Sequence, residues 1–258
     1  MPPRRLPRWL PVLALLASAP GLADGSRTVS VAAAANLKPA MDEIAARFQA
    51  SHPGVEVKVT FGASGTFLAQ IANGAPFDLF LSADAEFPAK AVEQGLADGR
   101  AFPYAVGRLV VWVPRDSTLD LNGKGLQALA DPAVRKIAMA NPEVAPYGRA
   151  ARAALEACGL YDRLKGRVVL GQNVSQAAQF ALSASTQGGI VALSLALAPG
   201  VLGGARYVAV DASMHEPLEQ RMVLTRRAGA TARAFYEYLQ QPAARAVLRR
   251  YGFALPGV

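Results

Sequence analysis

The chain is poor in the residues on which most catalytic and redox chemistry depends. Its 258 residues include one cysteine, Cys158, and two histidines, His52 and His215. A single thiol forms no internal disulfide and builds no zinc cage. Cys158 lies at the end of an apolar helical stretch, residues 149–158, just before Gly159, and reads as a small buried hydrophobe. His52 precedes Pro53-Gly54 in a turn, and His215 sits in a polar loop. Neither has metal-ligand spacing or a nucleophile motif beside it, so both read as surface residues. G-x-S-x-G, H-E-x-x-H, P-loop and G-x-G-x-x-G patterns are all missing. Asp42-Glu43 falls on the solvated face of an amphipathic helix. The expectation is a protein that is not an enzyme, with no catalytic residues and no resident cofactor.

Long apolar runs are also scarce. The first residues carry Arg4, Arg5 and Arg8, then an apolar stretch at 9–17 that is too short to cross a bilayer. Small residues follow, and Gly21-Leu22-Ala23 before Asp24 fits a cleavage site. This layout predicts a secretory signal peptide at 1–23. No later segment is long and apolar enough for a membrane helix, and no cysteine follows the cleavage site to take a lipid. The mature chain is expected to be periplasmic, not membrane-embedded, and monomeric. The net charge of +8 includes the three leader arginines, which leaves about +5. There is no dense Lys/Arg run and no recognisable motif, so no nucleic-acid partner is expected. A mildly basic surface does attract anions at long range.

Past the leader, strand-like and helix-like patterns alternate. Residues 28–32 are a short β-branched run. Leu37, Met41, Ile44, Ala45 and Phe48 then share one helical face up to His52-Pro53-Gly54. Val55, Val57, Val59 and Phe61 alternate with polar residues, as in a half-buried strand. The same reading gives helices at 66–72, 86–94, 147–158, 175–182, 231–239 and 243–250. It gives strands at 77–81, 109–113, 137–140, 168–170, 189–193, 207–210 and 220–224. Such alternation predicts an α/β fold with mostly parallel sheets, which bind ligands at the carboxyl ends of their strands.

Four strand-to-helix junctions carry the functional signal. They are Ala33-Ala34-Ala35-Asn36, Gly62-Ala63-Ser64-Gly65-Thr66, Asn141 to Gly148, and Gly171-Gln172-Asn173-Val174-Ser175. Asn is a strong N-cap residue, so Asn36 reads as the cap of the first helix. Any helix needs a cap, so one such junction says little. Four together could aim backbone N–H groups and helix dipoles at one point, giving an anion site without lysine or arginine.

At these junctions the sequence resembles the periplasmic molybdate-binding proteins of ABC transporters. The matching pieces are A-A-A-N-L-K-P-A-M at 33–41, G-A-S-G at 62–65, and Q-I-A-N-G-A-P-F-D-L-F-L-S-A-D at 70–84. N-P-E-V-A-P-Y-G-R-A-A at 141–151 and F-Y-E-Y-L with a later Y-G-F also match. The resemblance implies a two-lobed type II periplasmic-binding-protein fold with two crossover strands. Lobe 1 would be 24–105 plus 221–258, and lobe 2 would be 106–220, with crossovers near 106–109 and 219–222. It also implies capture of molybdate or tungstate between the lobes and delivery to an ABC transporter permease. The implied ligands are Asn36, Ser64, Tyr147 and Val174, through hydroxyl, amide and backbone N–H donors. Some relatives place a ligand tyrosine in an I-V-Y-G-S-D context. Here that stretch is Ile190-Val191-Ala192-Leu193-Ser194, and the tyrosine stands instead in the A-P-Y-G turn as Tyr147. Sulfate, ferric iron and organic-anion binders stay open as alternatives, as does an enzyme on a similar frame. An iron binder would need clustered tyrosinate or carboxylate ligands, and an amino-acid binder an Arg and an Asp.

Overall fold

The computed structural model describes residues 27–183, 185–201 and 204–256. The signal-peptide expectation at 1–23 lies outside the described residues. Ten strands form two five-stranded sheets. Sheet A has the order β2-β1-β3-β10-β4 and sheet B the order β7-β6-β8-β5-β9. Sheet A is built from β1 (Thr28–Ala34), β2 (Glu56–Gly62), β3 (Leu79–Leu81), β4 (Ala97–Gly107) and β10 (Leu218–Thr225). Sheet B takes β5 (Leu109–Pro114), β6 (Ile137–Ala140), β7 (Val168–Gly171), β8 (Gly189–Ala192) and β9 (Ala205–Ala209). The helices are α1 (Lys38–Ser51), α2 (Ser64–Ala72), α3 (Glu86–Glu93), α4 (Leu121–Lys124), α5 (Pro146–Ala157), α6 (Tyr161–Leu164), α7 (Val174–Leu182), α8 (Leu193–Ala196), α9 (Ala230–Gln240) and α10 (Pro242–Arg250). Sheets flanked by helices make this an α/β protein.

Periodicity accounts for the main elements. In α1 the buried residues are Ala40, Met41, Ile44, Ala45 and Phe48, the expected apolar stripe, and Pro39 sits in the first turn where its missing N–H costs nothing. Strand β2 lies at the edge of sheet A and is half-buried in alternation. Strands β3, β6 and β8 are buried at every residue, because helices or loops cover both faces.

Two features depart from the sequence expectation. The sheets are not mostly parallel. Four pairings are parallel, and four are antiparallel, all of the latter involving β10 or β5. These two strands carry the chain on each side of its passages between sheets, so they enter against the βαβ direction. Strand β4 is the second surprise. Gly99, Pro103 and Gly107 obscure its pattern. It is an edge strand, where a proline that lacks an N–H is tolerated.

Strand β4 ends at Gly107 and β5 begins at Leu109, so the chain passes from sheet A to sheet B across Arg108 alone. It returns between Ala209 and Leu218. Gly107 pairs with Leu218 at this point. The C-terminal segment adds a bridge there, with Val106 and Ala254 exchanging two backbone hydrogen bonds of 2.7 and 3.0 Å.

Candidate functional site

Each sheet contributes a pair of neighbouring parallel strands that end in register. In sheet A, Ala34 of β1 lies opposite Gly62 of β2. In sheet B, Ala140 of β6 lies opposite Gly171 of β7. The four junctions singled out in the sequence are the continuations of these four strands. They meet around a cavity of about 10 Å³, lined by Asn36, Ser64, Tyr147 and Val174 together with small residues such as Ala35 and Ala63. That is space for about one water, far below the usual range for drug-sized ligands. No lysine, arginine or carboxylate lines it.

The junctions differ in detail. Asn36 is not an N-cap. It lies within a 3-10 turn, 35–37, and its amide turns inward, fully buried. Its Nδ2 donates to Gln220 Oε1 at 3.1 Å and to Tyr147 Oη at 3.5 Å. Its Oδ1 is buried without a hydrogen-bond partner. An orphaned buried acceptor costs stability. Ser64 is the first residue of α2, and its Oγ accepts from Ala83 N at 3.0 Å, which leaves its own proton free. The cap position there is Ala63, which has no side-chain acceptor for the first-turn N–H groups. Helix α5 is the same, with Ala145 at the cap and Pro146 next. Gly148 allows this turn to press on β6, since a Cβ there would stand 2.4 Å from Ala140 O. Helix α7 differs. Asn173 Oδ1 accepts from Gln176 N at 3.0 Å, and Val174 follows as the first helical residue.

Tyr147 is buried, and its Oη accepts from Asn36 and from Gln220 Nε2, the latter at 3.3 Å. Burial pushes this phenol above its ordinary value, partly offset by the bonds from Gln220 and Asn36. It therefore keeps its proton at neutral pH. Tyr104 is raised too, by burial first and then by Tyr147 and Asp84. Ala192 ends β8 and carries no hydroxyl. Two residues on, Ser194 Oγ donates to Asn36 O at 2.7 Å, which ties the sheet B side to the first junction.

Other bonds join the two sides around the rim. Gly65 N donates to Val144 O at 3.0 Å, and Ser175 Oγ to Ala35 O at 2.9 Å. Arg149 pairs with Asp84 and, at 3.3 Å, with Glu86. Its guanidinium also stands 5.0 Å over the Phe87 ring.

Gln220 and Tyr104 escaped sequence reasoning. A signal existed for Gln220: in β10 it shares the buried alternation of Leu218 and Met222, and a polar residue on a buried face is informative. Cys158 lies apart from the cavity, partly buried against the core, with a thiol raised by desolvation. His52 stacks on Phe48 at 4.0 Å between centroids.

Two α/β sheets that close their strand ends over a small cavity fit a solute-binding protein. The sequence model of the bacterial extracellular solute-binding protein family matches residues 29–254, and the chain belongs to that family. The molybdate-binding protein ModA of Rhodobacter capsulatus is 38% identical over 228 residues, 87% of each chain. ModA of Azotobacter vinelandii is 36% identical over 247 residues, 95% of this chain and 96% of that protein. The solved periplasmic molybdate-binding protein of Azotobacter vinelandii matches with a TM-score of 0.80 at 33% identity, over 88% of this chain and 99% of that one. Among the described residues no helix is long and apolar enough to cross a membrane.

Proposed function

We propose that the protein captures a fully ionised tetrahedral oxyanion, molybdate or tungstate, and hands it to an ABC transporter permease outside the cytoplasm. The observation that carries this reading is the convergence of four strand ends on a small cavity with neutral donors and no cationic side chain. The relatives named for molybdate supply the choice of ion. The ligand set is Asn36, Ser64, Tyr147 and Val174. Asn36 offers its backbone N–H, its amide hydrogens being taken by Gln220 and Tyr147, Ser64 its hydroxyl and backbone N–H, and Val174 a backbone N–H. Tyr147 offers a backbone N–H and its hydroxyl, in place of a donor at Ala192. The uncapped first turns of α2 and α5 add positive dipole ends.

The chemistry favours binding over catalysis. Donors that converge on an anion form charge-assisted bonds about twice as strong as neutral ones. Several together support micromolar affinity or better, about −8 kcal/mol. We further propose that the lobes are 24–105 with 221–258, and 106–220. They would part at Arg108 and the return to β10, with the rim bonds closing the cleft.

Calorimetry on the purified mature protein tests the assignment. Molybdate and tungstate are expected to bind tightly and sulfate weakly. Tight sulfate binding with no molybdate heat would defeat it.

A further inference from the structure

We propose that Gln220, a residue of β10 outside the ligand set, is the positioning residue that aims the Tyr147 hydroxyl proton into the cavity. The inference rests on the oxyanion reading above. Gln220 is fully buried, and its amide is bonded at both ends. Its Oε1 accepts from Asn36 Nδ2 at 3.1 Å and from Tyr104 Oη at 3.0 Å, and its Nε2 donates to Tyr147 Oη at 3.3 Å. The single Tyr104 proton is shared between Gln220 Oε1 and Ser82 O, which lies 2.8 Å away, and this holds that end of the chain of bonds to the residue after β3.

A phenol has one proton and two lone pairs. Tyr147 Oη receives N–H donors from Gln220 and Asn36, so both lone pairs are engaged from the protein side. Its proton is left with no acceptor among these neighbours. The cavity that Tyr147 lines is then the place where that proton meets an acceptor, and an oxyanion is one.

Local backbone supports the role. The pairing of β10 with β4 shifts at Gln220/Arg221: Gln220 faces Ala105, Arg221 faces Pro103, and Tyr104 is left over. Bulges of this kind re-aim side chains beside functional sites. This one brings Tyr104 onto Gln220. The missing side chain of Gly107 clears the space. A Cβ there would stand 2.2 Å from Tyr147 Oη and 2.7 Å from Gln220 Nε2. Residues from the sheet-to-sheet passages thus set the geometry of a donor on the far side of the cleft.

A double-mutant cycle on molybdate affinity tests this. Gln220→Met removes both amide groups at similar size. Gln220→Glu keeps the shape but replaces the donor with an acceptor that draws the Tyr147 proton away from the ion. Each is measured in the wild-type and Tyr147→Phe backgrounds, with apo thermal unfolding in parallel. Gly107→Ala is the second route, because its Cβ displaces the hydroxyl and crowds Gln220 Nε2 while leaving the Gln220 amide chemically intact. In the wild-type background Gln220→Met is expected to weaken binding roughly three- to tenfold, and Gln220→Glu more. With Tyr147→Phe present, Gln220→Met and Gly107→Ala should cost under about twofold, since the proton they act through is gone. Equal losses in both backgrounds would overturn the proposal, whatever the change in unfolding temperature. So would an unchanged affinity for Tyr147→Phe, which would mean that Tyr147 donates to Gln220 instead. A wild-type protein that gives no heat with molybdate would instead defeat the oxyanion reading.

Discussion

The two sheets present the same architecture with different chemistry. In each, two adjacent parallel strands stop in register and run into helices at the cavity, at Ala34 opposite Gly62 and Ala140 opposite Gly171. In the proposed ligand set, the sheet A side uses short residues, Asn36 through its backbone and Ser64 through its hydroxyl. On the sheet B side they are replaced by one long phenol, Tyr147, and a backbone N–H at Val174. Capping is divided as well. Asn173 caps the first turn of α7 with its side chain, whereas Ala63 and Ala145 give α2 and α5 no side-chain cap. A paired frame therefore does not require paired ligands. The backbone delivers four positions, and each side fills them with whatever reaches.

The largest expected effect comes from breaking the neutrality of the sheet A side. Asn36→Asp puts a like charge against the anion, at a cost of several kcal/mol. Calorimetry should show molybdate affinity falling by at least about 100-fold. A loss of less than tenfold would mean that Asn36 does not face the ion.

Next, the two sides can be weighed against each other. Ser64→Ala and Tyr147→Phe each remove one hydroxyl donor to a charged acceptor, worth about 1.5–3 kcal/mol of binding. If the sides act independently, the double variant should lose the sum of the two. A Tyr147→Phe affinity equal to wild type would leave the tyrosine a packing role and make binding a property of the sheet A side and backbone alone.

The smallest effects concern the caps. Asn173→Ala removes the α7 cap, and thermal unfolding should show a loss of about 1 kcal/mol. Ala63→Ser does the reverse at α2, where the backbone is already extended at φ −82° and ψ 141°. It should stabilise the ligand-free protein by up to about 1 kcal/mol while weakening oxyanion binding, because the hydroxyl competes for the N–H groups the ion takes. Stabilisation with unchanged affinity would show that α2 donors are not used.

Much of this was readable in the sequence because it is local. The stripe of Met41, Ile44 and Phe48 and the four junctions depend on neighbours along the chain. What was not readable depends on partners far away. Strand β4 looks broken by Pro103 until its edge position excuses it. The antiparallel pairings follow from where the chain passes between sheets. Asn36 looked like a cap, and its amide turned out to be claimed by Gln220, 184 residues away. Gln220 itself looked like one more polar residue in a strand, and only its place on the buried face sets it apart.

The order of strands in sheet A has a kinetic consequence. Sheet B takes all its strands from one stretch, which is complete by Ala209. Sheet A waits for β10, which lies between β3 and β4 yet comes after every other strand. Long loops must close before that pairing rewards the chain. The sheet that begins first is therefore finished last, and the strand that finishes it brings Gln220. In a growing chain the four junctions emerge before β10 does, so the proposed site would be completed only when that last strand pairs.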